Sequence, residues 1–90
     1  MKPLPDDLKP YRRTDTFTLE TVPRGLMRDH RTKAGVWGVI HVTQGSLIYR
    51  TAKDASETLL TPDVPGIIEP EILHSVSLSD GSAFYVEFWR

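Results

Sequence analysis

The sequence contains no cysteine, which excludes disulfides, thiolate metal sites and cysteine nucleophiles together. It also has no apolar run near the ~20 residues that a membrane helix requires, so we expect no membrane association. Residues 1–7 lack the apolar core and cleavage site of a secretion signal, and we therefore expect a cytoplasmic protein. A formal net charge of −1 gives no basic footprint for nucleic acid, so we expect no nucleic-acid partner.

Alanine is also scarce, with 4 residues in 90, whereas valine, isoleucine and threonine together supply 21. Branched side chains fit a pleated strand and are mildly disfavoured in a helix. Seven prolines and six glycines interrupt the chain too often for long helices. A chain of this length can bury one modest core. We therefore predict a single, almost all-β domain.

Alternation of apolar and polar side chains predicts seven or eight short strands over residues 16–90, in a sandwich or small barrel. Two of them are expected at 16–19 and at 26–32. The Gly-containing connection at 43–46, between two β-rich runs, predicts a β-hairpin. Residues 1–15 are expected to form an extended polar arm, which is either a partly ordered leader or a strand paired with a sheet edge or a partner subunit.

The three histidines are the first candidates for a binding site. His74 shares a strand face with Val76, so its imidazole is expected on the inner side, where it needs a hydrogen-bond partner or a metal. A core histidine bonded to a backbone carbonyl is the alternative. His30 precedes a loop and, taken alone, is typical of a surface residue. If Ile40 marks the core face of its strand, His41 points outward and cannot meet His74.

Two imidazoles and one carboxylate would suit divalent iron, with zinc, manganese or nickel as alternatives. The candidate ligands for this divalent metal are His30, His74, and Glu69 or Glu71, which come just before His74. No dense motif such as HExxH is present, so the site depends on distant residues coming together.

A group of basic residues offers a second candidate site. It comprises Arg12, Arg13, Arg24, Arg28, Arg31 and Lys33. These side chains are expected either to be solvated or to line the mouth of an anion-attracting pocket. The sequence has no Gly-rich phosphate loop and no G-x-S-x-G nucleophile motif.

Two stretches resemble the motifs of a known family. Residues 30–47 have the sequence HRTKAGVWGVIHVTQGSL, and residues 69–76 have the sequence EPEILHSV. The pairing of H-x-T-K-x-G-x-W-G with E-P-x-x-x-H-x-V resembles the TehB/YeaR-like family over almost the whole chain. The resemblance implies a cupin-like double-stranded β-helix, a jelly-roll barrel, with His30 and His74 as the two inward imidazoles of a metal-type pocket. It also implies that Gly45 is the turn that ends the first motif.

Proteins of this family occur alone or as the N-terminal domain of tellurite-resistance methyltransferases. The chain shows no nucleotide-binding strand-loop-helix for S-adenosylmethionine, so we do not expect it to methylate tellurite alone. The resemblance therefore implies a module that binds a metal ion or a small molecule or anion, with a link to tellurite or other oxyanion stress.

Two alternatives remain open at this point. One is a metal-dependent enzyme of the cupin kind, a dioxygenase or isomerase. The other is a structural or regulatory homodimer with a vestigial pocket, formed through apolar side chains on outer strand faces. The residues expected on those faces are Trp37, Val39, Ile48, Tyr85 and Trp89.

Overall fold

The computed structural model describes residues 2–28, 30–53 and 55–90. These residues form eight strands and one short 3-10 helix, Arg24–Met27. The strands are β1 (Pro10–Arg13), β2 (Phe17–Thr18), β3 (Trp37–Gln44), β4 (Leu47–Thr51), β5 (Glu57–Leu60), β6 (Gly66–Ile68), β7 (His74–Leu78) and β8 (Ala83–Trp89). In this part of the chain, no helix has the length and apolar character needed to cross a lipid bilayer.

The strands form two sheets in which every pairing is antiparallel. The larger sheet has the order β1-β8-β3-β6, and β2 also pairs with β8. The smaller sheet has the order β5-β4-β7. The prediction of an almost all-β domain is therefore confirmed.

One hydrophobic core takes side chains from both sheets. The larger sheet contributes Ile40, Val42, Ile68, Phe84 and Val86, and the smaller sheet contributes Leu47, Tyr49, Leu60 and Val76. These residues follow the predicted two-residue alternation, because each is flanked in its strand by less buried or outward-facing neighbours. The inner face expected from the sequence is thus confirmed for β3, β4, β7 and β8.

The hairpin predicted around residues 43–46 is wrong, because β3 and β4 belong to different sheets. Gly45 has a φ of +72°, and the chain crosses from one sheet to the other at this point. The crossing places the inner side chains of the two strands across the core from one another, whereas a hairpin would place them side by side. Ser46 is tied to Ser82 of the crossing from β7 to β8, since its N–H donates to the Ser82 hydroxyl at 3.0 Å and its carbonyl accepts from that hydroxyl at 2.7 Å.

The strand predicted at residues 26–32 is also wrong. Pro23, with a φ of −59°, leads directly into the 3-10 helix, and Leu26 packs against the core from there. The only strand-like pairing observed in the described part of this segment is an isolated bridge between His30 and His74. Asp29, which the expected strand included, lies outside the described residues.

Part of the N-terminal arm lies on the edge of the larger sheet. Strand β1 pairs with β8, with an irregular register between Pro10 and Arg12. Thr14 then exchanges two bonds with Val86: its N–H donates to the Val86 carbonyl at 2.9 Å, and its hydroxyl accepts from the Val86 N–H at 3.0 Å. Of the alternatives open for the arm, pairing with a sheet edge is the one observed over Pro10–Arg13.

Candidate functional site

His74 is the buried member of the candidate site. It begins β7 and has 3% of its surface exposed. Its Nδ1–H donates to the Ile72 carbonyl at 3.1 Å, since a carbonyl oxygen can only accept. Burial lowers the pKa of His74 below its ordinary value of 6.5; the bond to Ile72 raises the pKa, and nearby His30 lowers it. The neutral ring with its proton on Nδ1 keeps a lone pair on Nε2.

His30 lies against His74 at the surface. The two residues exchange backbone hydrogen bonds of 2.8 Å in each direction. Their ring centroids are 5.4 Å apart and the rings meet edge to face, at 87°. The ring of His74 also lies near the ring of core residue Tyr49, with centroids 5.8 Å apart. The structure thus brings the two distant imidazoles together, one buried and one exposed.

The two candidate carboxylates have other positions. Glu69 pairs with Lys53 at 3.2 Å. Glu71 is exposed, with a φ of +63°, and its N–H donates to the Thr32 carbonyl at 3.1 Å. Within the described residues, no group of three or more histidine, aspartate or glutamate side chains is arranged to hold a metal ion. The structure therefore joins neither carboxylate to the two imidazoles in such a group.

His41 lies on the outer face of β3, as the alternation indicated. Its Nε2 lies 3.4 Å from a carboxylate oxygen of Glu87, and its ring stacks on Tyr85 with centroids 4.9 Å apart. Arg13 of the arm covers the same tyrosine, with its guanidinium 3.7 Å from the ring centroid. His41 is thus part of an outer-face cluster and is separate from the His30–His74 pair.

An open cleft of about 250 Å³ adjoins His30. Its lining residues come from β1, from the loop before β3 and from β8: Tyr11, Arg12, His30, Arg31, Thr32, Lys33, Val36 and Phe88. Three of these are permanently basic and none of the described lining residues is acidic. Of the two alternatives open for the basic group, Arg31 and Lys33 show the second, since they line this cleft, whereas Arg24 and Arg28 are exposed and are not among its lining residues.

The loop before β3 (residues 30–36, called the basic loop) forms a compact turn that presents Arg31 and Lys33 to the cleft. The buried Thr32 donates its hydroxyl proton to the Val36 carbonyl at 2.7 Å, and the Val36 N–H donates to the Lys33 carbonyl at 3.1 Å. Gly35 has a φ of +77°, a conformation that favours glycine. The T-K-x-G part of the first motif therefore fixes Arg31 and Lys33 on either side of an anchored threonine.

Sequence reasoning missed Tyr11 and Phe88 as cleft residues, whereas Arg12 was included in the basic group. Phe88 gave a signal only as an inner-face position of β8, and Tyr11 gave none. Arg12 and Phe88 become neighbours because they are register partners between β1 and β8. This pairing is a long-range contact that the local pattern does not contain.

Most of the chain matches the sequence pattern of a known protein family. The sequence pattern of the TehB-like domain matches residues 12–86. The chain belongs to the TehB-like family. A comparison with curated proteins gave no match. The resemblance noted from the two sequence motifs is therefore confirmed at the level of the family.

Two crystal structures are similar to this TehB-like chain. One is of a protein from E. coli (strain K12), with a TM-score of 0.90 and 22% identity over 100% of this chain and 97% of that chain. The other is of TehB from Haemophilus influenzae, with a TM-score of 0.83 and 27% identity over 93% of this chain and 32% of that chain. The TehB-like chain thus spans about a third of the length of that TehB.

Proposed function

We propose that this TehB-like domain binds a small anion in the cleft beside His30. The observation that carries the proposal is the convergence of Arg12 from β1 with Arg31 and Lys33 from the loop before β3. Clustered cations raise the local concentration of anions and make charge-assisted hydrogen bonds to carboxylate or phosphate oxygens. The formal charge of the chain is −1, so this basic character is local to the cleft.

The three cleft cations have no carboxylate partner among the described residues. Within the described residues, the ion pairs involve His41, Arg50 and Lys53, and none involves a cleft residue. A guanidinium without a carboxylate partner keeps its planar set of donors for an incoming anion. The cleft is therefore suited to exchange water for an anionic group.

The family and the fold supply the context of the proposal. Ser46 and Ser82 join the crossing from β3 to β4 with the crossing from β7 to β8, and the two antiparallel sheets share one core, which supports a cupin-like jelly roll. The resemblance to tellurite-resistance proteins supports a role connected with oxyanion stress, and a cytoplasmic location stays a prediction. Catalysis is not part of the proposal.

Calorimetric titration at low salt tests anion binding, with phosphate, tellurite and benzoate as probes. We expect at least one probe to bind, and Arg12→Ala or Arg31→Ala to weaken it about tenfold or more, because a charged hydrogen bond contributes about 1.5–3 kcal/mol. Arg50→Ala removes the same charge from the smaller sheet and should leave the affinity unchanged. Absence of binding for all probes, or equal affinity in all variants, would overturn the proposal.

A divalent metal is the second candidate ligand. It is favoured by the proximity of the His30 and His74 rings and by the lone pair that neutral His74 keeps on Nε2. The donor set fits in part, since two imidazoles are close and the described residues add no third member to the group. Glu69 or Glu71 as a third ligand stays a prediction; otherwise water would complete the coordination.

Metal analysis of untagged protein tests this second candidate. We expect zinc, iron, manganese or nickel in the wild type, a loss of that metal in His74→Ala and in His30→Ala, and retention in His41→Ala on the outer face. Glu69→Gln and Glu71→Gln show which carboxylate contributes. Equal metal content in the wild type and His74→Ala would exclude the site.

A further inference from the structure

The cleft beside His30 has apolar walls as well as basic ones. Tyr11, Val36 and Phe88 line it together with the three cations. Its volume is about 250 Å³. A bare inorganic oxyanion fills only part of such a space and gains nothing from an aromatic ring. The apolar part of the lining therefore indicates the chemical class of the ligand, in addition to its charge.

We propose that the ligand is a small amphipathic organic anion, in which a carboxylate or phosphate is attached to an apolar body. The proposal rests on the proposed anion-binding function and adds the chemical class. The charged group meets Arg12, Arg31 and Lys33, and the apolar body lies against Val36 and Phe88.

The register between β1 and β8 places the two kinds of contact side by side. Arg12 and Phe88 are direct cross-strand partners. Partners in an antiparallel pair project to the same face with Cβ atoms about 4.5–5.5 Å apart. A cation and an apolar ring thus lie within the span of one small molecule, such as a benzene ring and its carboxylate.

The rim that carries Tyr11 is held in place. The guanidinium of Arg90 lies 4.0 Å from the centroid of the Tyr11 ring. Lys9 and Arg90 exchange backbone hydrogen bonds of 3.3 and 3.2 Å on the same side. Because the wall is ordered by contacts outside the cleft, a ligand meets an apolar surface that it does not have to organise.

Titration with matched probes measures the contribution of the apolar body. Benzoate and acetate share a carboxylate, tellurite is a bare oxyanion, and benzyl alcohol keeps the ring without the charge. Each buried methylene-sized group contributes about fourfold in affinity, so we expect benzoate to bind at least about tenfold more tightly than acetate or tellurite. Benzyl alcohol should bind at least about tenfold more weakly than benzoate.

Variants of the apolar wall test whether the preference for benzoate arises in the cleft. Val36→Thr changes a methyl into a hydroxyl at nearly constant volume and keeps the backbone carbonyl that Thr32 uses. Tyr11→Ala changes an exposed position. Both should weaken benzoate several-fold and leave acetate unchanged, whereas Leu59→Ser, an exposed apolar position on the smaller sheet, should change neither.

The outcomes separate the two proposals. Equal affinities for benzoate, acetate and tellurite, all reduced by Arg12→Ala, would overturn the amphipathic ligand and keep the anion site. The same holds if the wall variants do not change benzoate binding. Equal affinity for benzoate and benzyl alcohol, or no binding by any anion, would overturn both. A benzoate preference lost in the wall variants and in Arg12→Ala would support both.

Discussion

The ring of exposed His30 meets the ring of buried His74 edge to face, 5.4 Å from centroid to centroid, while their backbones exchange two hydrogen bonds. The bridge fastens the start of the basic loop to the first residue of β7. It also places His30, which lines the cleft, against the only buried imidazole within the described residues. Changes at His74 should therefore affect both the stability of the fold and the position of the loop.

Stability should fall as pH falls, because the pKa of His74 is lowered in the folded state. Well above pH 6.5 the ring is neutral in both states, and its contribution is fully present. Below 6.5 the unfolded chain takes up a proton that folded His74 resists, so the free energy of unfolding decreases down to the lowered pKa. Denaturant unfolding between pH 8 and about pH 5 measures this slope.

His74→Asn and His41→Asn are the matched pair for the pH experiment. Asparagine at position 74 keeps a side-chain N–H for the Ile72 carbonyl but does not titrate, so part of the slope should disappear. His41→Asn, on the outer face, should leave the contribution of His74 unchanged. A slope in His74→Asn equal to that of the wild type would contradict the assignment.

Alanine substitutions at Gly45 and Gly81 distinguish the stability cost of a steric contact from that of backbone strain. Both have positive φ, +72° and +76°. A Cβ at Gly45 would lie 2.5 Å from the Ser82 hydroxyl oxygen and 3.0 Å from its Cα, whereas nothing lies within 4 Å of one at Gly81. Gly81→Ala should cost about 1–2 kcal/mol from strain alone. Gly45→Ala should cost a further ~1–3 kcal/mol, because the crossing must shift.

Thermal or denaturant unfolding of the two glycine variants checks the difference. The comparison is informative because the two changes are chemically identical and the φ angles of the two glycines are nearly the same. Equal destabilisation would mean that the contact between the two crossings relaxes without cost.

Local alternation predicted which side chains face the core but not which strands are neighbours. Ile40 and Leu47 were assigned to inner faces, and both are 1% exposed. The same pattern suits a hairpin and a crossing between facing sheets, since a two-residue period describes faces only. The crossing at Gly45 depends on its contact with Ser82, which is far away in sequence, so no local signal distinguished the two arrangements.

The candidate site was predictable in part. His74 was selected by its strand face and by the motif, His30 was selected by the motif, and the structure brings the two rings together. Glu69 was selected because it is close to His74 in sequence; its carboxylate pairs with Lys53, and its role as a ligand stays a prediction. Arg12 was selected only as one of several basic residues, because its place in the cleft comes from the pairing of the arm with β8. The local sequence therefore named the charges but not the long-range contacts that bring them together.

Thr14 should be important for attachment of the arm. Its hydroxyl accepts the N–H of buried Val86 at 3.0 Å. Thr14→Ala leaves this N–H without its acceptor, which should destabilise the protein by about 1–3 kcal/mol and increase hydrogen exchange in β1. Thr16→Ala, an exposed position, should change stability by less than about 0.5 kcal/mol. Equal effects of the two variants would show that Thr14 does not attach the arm.

Homodimer formation stays a prediction, and the structure indicates where to test it. Val39 is 6% exposed and Arg13 covers Tyr85, so the outer face of β3 and β8 offers less apolar surface than the sequence suggested. On the smaller sheet, Leu59 is 55% exposed and is the cross-strand partner of Ile48. This pair is the better candidate for a contact between two copies.

Sedimentation at tens of micromolar protein tests the contact. We expect a dimer for the wild type and a monomer for Leu59→Asp, because a buried unpaired carboxylate would be strongly unfavourable at the interface. Met27→Asp, at a 40% exposed position that ends the 3-10 helix, introduces the same charge elsewhere and should remain dimeric. A monomeric wild type would contradict the homodimer, and a dimeric Leu59→Asp would place the contact on another face.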